Sequence, residues 1–194
     1  MRVVPTILTD DPKEAEGWLK RIAGSGKFER VQIDFVDGVY ANNLTISPAE
    51  CELTRYPKLT FDAHLMVVEK NIDWYCREVK RVGFDRIIVQ MESVSNPESY
   101  DCLAMDVHSP AKAIEPYLPK LKYIVVMAVE PGFGGQKFSD EVMKLIKRLG
   151  ELRSKNKYKF KICVDGGVQK EHLEMLEKLG VDEVAVGAGR VLSW

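Results

Sequence analysis

Three side chains stand where proton transfer or cation binding could occur: Asp34, His64 and Asp165. Each lies at or near the end of a short β-branched run, and the three runs are far apart in the chain. Two carboxylates can serve as acid and base on opposite sides of a substrate. Carboxylates with an imidazole also make a divalent-cation set. Singly, each has a plainer reading: a strand histidine is usually a hydrogen-bonded core residue, and an aspartate before glycine is usually a turn residue. Their joint occurrence at three strand ends carries the argument. The second signal is glycine: Pro131-Gly132-Phe133-Gly134-Gly135-Gln136, Gly166-Gly167 and Gly187-Ala188-Gly189 each follow a β-branched run. Glycines let backbone N–H groups approach an anion closely, so three such turns at one mouth point to a phosphorylated ligand. Tight strand-to-helix turns without a ligand are the alternative.

The elements that must position these groups alternate along the chain. Strand-like runs occur at Arg2–Leu8, Arg30–Phe35, Leu59–Leu65, Arg86–Met91, Cys102–Val107, Tyr123–Val129, Phe160–Val164 and Glu183–Val186. Helical spacing is expected over Pro12–Ala23, Asn71–Val82, Ser139–Leu152 and Gln169–Leu179, with shorter candidates at Pro48–Thr54 and Pro110–Leu118. Strands alternating with helices predict a parallel α/β sheet, and eight strands are the number that closes a (β/α)8 TIM barrel. An open doubly wound sheet is the rival, but Thr9-Asp10-Asp11 occupies the turn where its glycine fingerprint would fall. Strand alternation puts Gln32 with Asp34, Asp62 with His64 and Met66, Gln90 with Glu92, and Cys163 with Asp165. These polar faces are expected to converge at the C-terminal mouth, where active sites of this fold sit.

Composition narrows the partners. The chain has 194 residues, with 28 Lys+Arg against 29 Asp+Glu and a net charge of −1. That balance argues against nucleic acid. No apolar run approaches the ~18 residues of a membrane span, and the N-terminal residues do not read as a signal peptide. Cys51, Cys76, Cys102 and Cys163 are widely spaced and read as reduced thiols, so a cytoplasmic location is expected. One domain over residues 1–194 is expected. His108 and His172 read as surface or capping residues.

The segment Val126-Met127-Ala128-Val129-Glu130-Pro131-Gly132-Phe133-Gly134-Gly135-Gln136-Lys137-Phe138 resembles the signature of the ribulose-phosphate 3-epimerase family. Pro5-Thr6-Ile7-Leu8, Ile33-Asp34-Phe35-Val36-Asp37-Gly38, Asn43-Leu44-Thr45, Phe61-Asp62-Ala63-His64-Leu65-Met66 and Val164-Asp165-Gly166-Gly167-Val168 are similar to further family motifs, in order along the chain. The resemblance implies a barrel that interconverts D-ribulose 5-phosphate and D-xylulose 5-phosphate by moving the proton at C3, a step of the pentose phosphate pathway. It implies Asp34 and Asp165 as the catalytic acid–base pair. It also implies a divalent metal ion (Zn, Mn, Fe or Mg) held by Asp34, His64 and Asp165, with Gln32 where the family has a histidine. It implies substrate contacts from Thr6, His64, Met66, Met127, Gly134, Gly135, Gly166, Gly167, Gly187 and Ala188. The chain departs from the family pattern at Gln32, Val39 and Gln90, each in place of a histidine. It departs also at Cys163 in place of glutamate, and at Thr6 and Ala188, each in place of serine. A related epimerase on another sugar phosphate, such as allulose 6-phosphate, and a non-catalytic sugar-phosphate binder are the alternatives. Family relatives imply a homo-oligomer, dimer or larger, with Trp18, Trp74 or Trp194 available to an interface.

The chain is short for its expected fold, which typically takes about 250 residues and rarely fewer than about 200. Only Glu92–Asp101 joins the fourth and fifth strands, and the chain stops at Trp194, just past the eighth. The helix between strands four and five and the C-terminal helix are therefore expected to be reduced or missing.

Overall fold

The computed structural model describes residues 1–194. Val, Ile and Phe alternate along the runs named above, and these runs form eight parallel strands: β1 (Arg2–Ile7), β2 (Arg30–Val36), β3 (Thr60–Met66), β4 (Arg86–Gln90), β5 (Cys102–Met105), β6 (Tyr123–Met127), β7 (Lys161–Asp165) and β8 (Glu183–Gly187). They pair in chain order and close, β8 onto β1, as a barrel. The (β/α)8 expectation holds.

Outward strand residues pack on helices in one large apolar cluster that includes Ile33, Phe35, Leu65, Val89, Leu103, Ile124, Val164 and Val184. Helix α1 (Pro12–Ser25) starts where the Asp11 side chain accepts from the Lys13 N–H, and it ends at left-handed Gly26. Helix α2 (Glu69–Val82) buries Ile72, Tyr75 and Val79 and stops at Gly83. Helix α3 is a single turn (Ala111–Ile114), followed by a 3-10 turn at Glu115–Tyr117. One longer helix over Pro110–Leu118 was the expectation; Pro116 lacks the N–H that an α-helix would require there. Helix α4 (Val142–Asn156) begins three residues after the expected Ser139. Helix α5 (Lys170–Lys178) is capped by the Gln169 N–H donating to His172 Nδ1, so His172 is a capping residue as expected. Helix α6 is the four-residue turn Ala188–Val191.

The jacket is thinner than the sequence suggests. Two 3-10 turns, Met91–Ser93 and Pro97–Ser99, replace the helix between β4 and β5, as expected. The β2–β3 connection also lacks an α-helix, because the expected Pro48–Thr54 helix divides into 3-10 turns at Pro48–Glu50 and Leu53–Arg55 around extended Cys51. All four cysteines are free thiols. No helix is long and apolar enough to cross a membrane.

Inside the barrel a second apolar cluster, with Ile88, Ala104, Val125, Cys163 and Ala185 among its members, separates two polar ends. At the N-terminal end, Arg86 bridges Asp62 and Glu183, reaching Glu183 at 2.9 Å, and Arg30 binds Asp62 as well. The Tyr123 hydroxyl donates to Glu183 at 2.8 Å, and the Arg86 guanidinium lies 3.4 Å from the Tyr123 ring centre. Asp62 thus shares a face with His64 but does not reach the C-terminal mouth. Glu92 also leaves the barrel, accepting from the Asp106 N–H at 3.0 Å.

Candidate active site

Register brings the reactive groups together. Asp34 on β2 lies beside His64 on β3, and Asp165 on β7 lies beside Met127 on β6. Asp34 and Asp165 are each 6% exposed, opening onto the mouth, and His64 below them is fully buried. His64 Nδ1 is 3.4 Å from Asp34 Oδ1 and 3.8 Å from Asp165 Oδ2. Gln32 crosses the barrel lumen: its Nε2 donates to Asp34 Oδ1 at 2.9 Å and to Asp165 Oδ2 at 2.6 Å. One amide therefore clasps both carboxylates.

Burial, and then the negative charge of Asp34, push the Asp165 carboxyl up to about 7, against the lowering influence of His64 and Gln32. For His64, burial alone would lower the pKa; the Asp34 and Asp165 carboxylates outweigh it, and the imidazole is raised above its ordinary value. Asp37, in the other Val-Asp-Gly segment, behaves differently. Burial would raise it, but hydrogen bonds from the Val39, Tyr40 and Val68 N–H groups and the Asn71 amide hold it below the usual carboxylate range. It is a loop-fastening residue.

The carboxylates form the floor of a cavity of about 370 Å³. Thr6, Met66 and Met127 line it, as do Gly134, Gly135, Gly166, Gly167, Gly187 and Ala188. His64 and Gln32 lie beneath the lining, so neither faces the open space. Gln90 is fully buried in the lumen, with both amide atoms lacking a protein partner.

The glycines differ in their reasons. A Cβ on Gly166, at φ +106°, would sit 2.4 Å from Val129 Cγ2, and one on Gly167 would sit 2.3 Å from the Phe138 nitrogen. Packing of the β7 turn against the β6 loop accounts for both. At Gly187 a Cβ would meet nothing within 4 Å, and its φ of −47° suits any residue. There the space is left to the cavity.

Asp34, His64 and Asp165 place one ligand atom each within 4.8 Å of one another, a set that could hold a metal ion. Both His64 nitrogens are buried without a hydrogen-bond partner, which fits a ligand role. Gln32 turns its NH₂, not its oxygen, toward the carboxylates; as a fourth ligand its amide would have to rotate by a half turn.

Sequence reasoning gave no site role to several residues of the cavity wall, Glu14, Trp18 and Arg190 among them. Trp18 is half-buried, lies against Gly189 and donates its Nε1–H to Glu14 at 3.3 Å, so it belongs to the site rather than to an exposed surface. Trp74, by contrast, is 43% exposed. His108 is exposed and pairs with Glu130, a surface role as expected.

Fold and site together define a (β/α)8 barrel with an acid–imidazole cluster at its strand ends, ringed by glycine turns. Residues 2–191 match the model of the ribulose-phosphate 3 epimerase family. The chain belongs to this family. It is 30% identical to the ribulose-phosphate 3-epimerase of Bacillus subtilis strain 168, over 97% of this chain and 91% of that protein. The Synechocystis ribulose-phosphate 3-epimerase is 28% identical, covering 96% and 85%. Among solved structures, phosphoribosyl anthranilate isomerase from Thermus thermophilus superposes with a TM-score of 0.61 at 11% identity, covering 97% and 88%. The tryptophan synthase complex from Pyrococcus furiosus gives 0.64 at 15%, covering 99% and 88%. These two likenesses concern the fold alone.

Proposed function

We propose that the protein is a ketose-phosphate 3-epimerase that interconverts D-ribulose 5-phosphate and D-xylulose 5-phosphate. The observation that carries this reading is the pair Asp34 and Asp165, set on β2 and β7 at the floor of one cavity and joined through Gln32. Inversion at a carbon requires proton removal from one face and delivery to the other, because a single base returns the proton to the face it left. Two carboxyls from opposite walls meet that requirement. The raised Asp165 is suited to both halves, since a group titrating near neutral pH holds and releases a proton with similar ease. Met66 and Met127 line the cavity beside the carboxyls and exclude water from the reacting carbons. Gly187 and Ala188, with Gly134, Gly135, Gly166 and Gly167, form the end that receives the phosphate.

Asp34, His64 and Asp165 would hold a divalent ion, which when bound supplies stabilisation of negative charge on the substrate oxygens. The chain's own residues hold and move the proton.

The test is conversion of D-ribulose 5-phosphate in D₂O, with allulose 6-phosphate as a comparison, before and after chelation and re-addition of Mn²⁺, Zn²⁺ or Fe²⁺. Deuterium should enter at C3, and Asp34→Asn and Asp165→Asn should each abolish turnover. Binding without any C3 exchange under all metal conditions would refute the enzyme reading and favour a sugar-phosphate binder.

A further inference from the structure

Charge in the candidate active-site cavity is lopsided. Its wall carries four carboxylates, Glu14, Asp34, Glu130 and Asp165, and one cationic side chain, Arg190. A phosphate monoester brings about −1.5 to −2 charges near pH 7. Backbone N–H groups offer it only partial positive charge. Arg190 is the one side chain of the wall that meets it with a full positive charge.

Arg190 is placed for that task. It follows the Gly187-Ala188-Gly189 turn directly, in α6. Its Nη1 donates to the Val168 carbonyl at 3.2 Å, and Val168 is the residue after Gly166-Gly167. The guanidinium thus spans the turns that follow β7 and β8. It has no carboxylate within ion-pair distance, whereas Arg30 and Arg153 are each tied to one and Arg86 to two. The single bond to Val168 leaves most of its N–H fork without a protein partner. A planar fork of this kind matches phosphate oxygens two at a time. Trp18 also packs on Gly189 in this turn, with Cη2 3.2 Å from the position of a Cβ there.

We propose that Arg190 is the phosphate-recognition residue of this cavity, selecting a dianionic phosphate ester over the neutral sugar. The substrate class rests on the epimerase reading above. The experiment measures calorimetric binding of inorganic phosphate and of D-ribulose 5-phosphate to the full chain, for the parent, Arg190→Met and Arg190→Lys, together with KM and kcat. Loss of a charge-assisted pair should weaken phosphate binding by about 10- to 100-fold in Arg190→Met and raise KM more than it lowers kcat, while Arg190→Lys recovers part of the loss. Equal phosphate affinity in parent and Arg190→Met, or no phosphate binding by the parent at millimolar concentration, overturns the proposal. A parent that binds phosphate through Arg190 but epimerises nothing would leave this assignment standing and remove the epimerase reading. Active parent and unchanged Arg190→Met affinity would do the reverse.

Discussion

Replacing Asp165 with Asn should stabilise the fold, and chiefly at a pH where the native carboxyl is ionised. Burial, and then the Asp34 charge, raise this carboxyl from 3.8 to about 7. Neither cause operates in the unfolded chain, where the group titrates near its ordinary value. A raised folded-state pKa contributes stability that is fully present below the unfolded value and is lost as pH rises through the folded one. Here that window runs from about 4 to about 7. A rise of roughly three pH units, at about 1.36 kcal/mol each, sets an upper bound near 4 kcal/mol. Relaxation of the interior lowers this, and about 2–4 kcal/mol is expected. Asn keeps the shape of the protonated carboxyl and cannot ionise. In EDTA, the thermal midpoint of Asp165→Asn should exceed that of the parent by about 5–15 °C at pH 8, and by no more than a few degrees near pH 4.5. Differential scanning calorimetry across this range, with urea titrations at its ends, makes the measurement. An equal gap at both pH values, or a variant less stable than the parent at pH 8, would refute the assignment of a shared, strained negative charge to this pair.

Further outcomes follow from named contacts. Gln32→Leu removes two donors from the carboxylates and should cost about 2–4 kcal/mol at pH 8 in urea unfolding, with a smaller loss at pH 5. Gln32→His should tighten Zn²⁺ or Mn²⁺ binding by about tenfold or more in calorimetric titration, since imidazole replaces an amide; unchanged affinity would mean that position 32 does not face the ion. Asp62→Ala leaves Arg30 and Arg86 short of their shared partner and should lower stability by about 3–5 kcal/mol, with kcat of the folded protein near the parent value. A loss below about 1 kcal/mol would show that the network is slack. Gly166→Ala should lower the thermal midpoint sharply through its contact with Val129, and Val129→Ala in the same chain should restore part of it. Absence of any restoration would place the damage in the backbone conformation alone.

Much of the fold was legible because β-branched runs and amphipathic helices carry period signals, and Asp34, His64 and Asp165 stood out because each lies at or near the end of such a run. What alternation could not convey was height along the barrel. Asp62 and His64 share a face, yet Asp62 belongs to the N-terminal network, since the strand register sets it beside Arg86, which links it to Glu183. Arg190 was invisible for another reason. A four-residue turn has no periodicity, and being unpaired is a property of the folded surroundings. The Pro110–Leu118 reading overlooked Pro116, a signal that was present in the sequence. The missing β2–β3 helix had no comparable warning.

The ion network at the N-terminal end has a bearing on how the molecule opens. Arg30 and Asp34 stand four residues apart on β2, a rise of about 13 Å, with the lumen's apolar layer between the two polar ends. At one end, opposite charges draw β2, β3, β4 and β8 together; at the other, like charges are held against each other by one amide. Amide hydrogens at the strand starts should then exchange only through global unfolding, while those of the glycine turns exchange through local opening. The reactive mouth can remain electrostatically frustrated because closure of the barrel is secured from the opposite end.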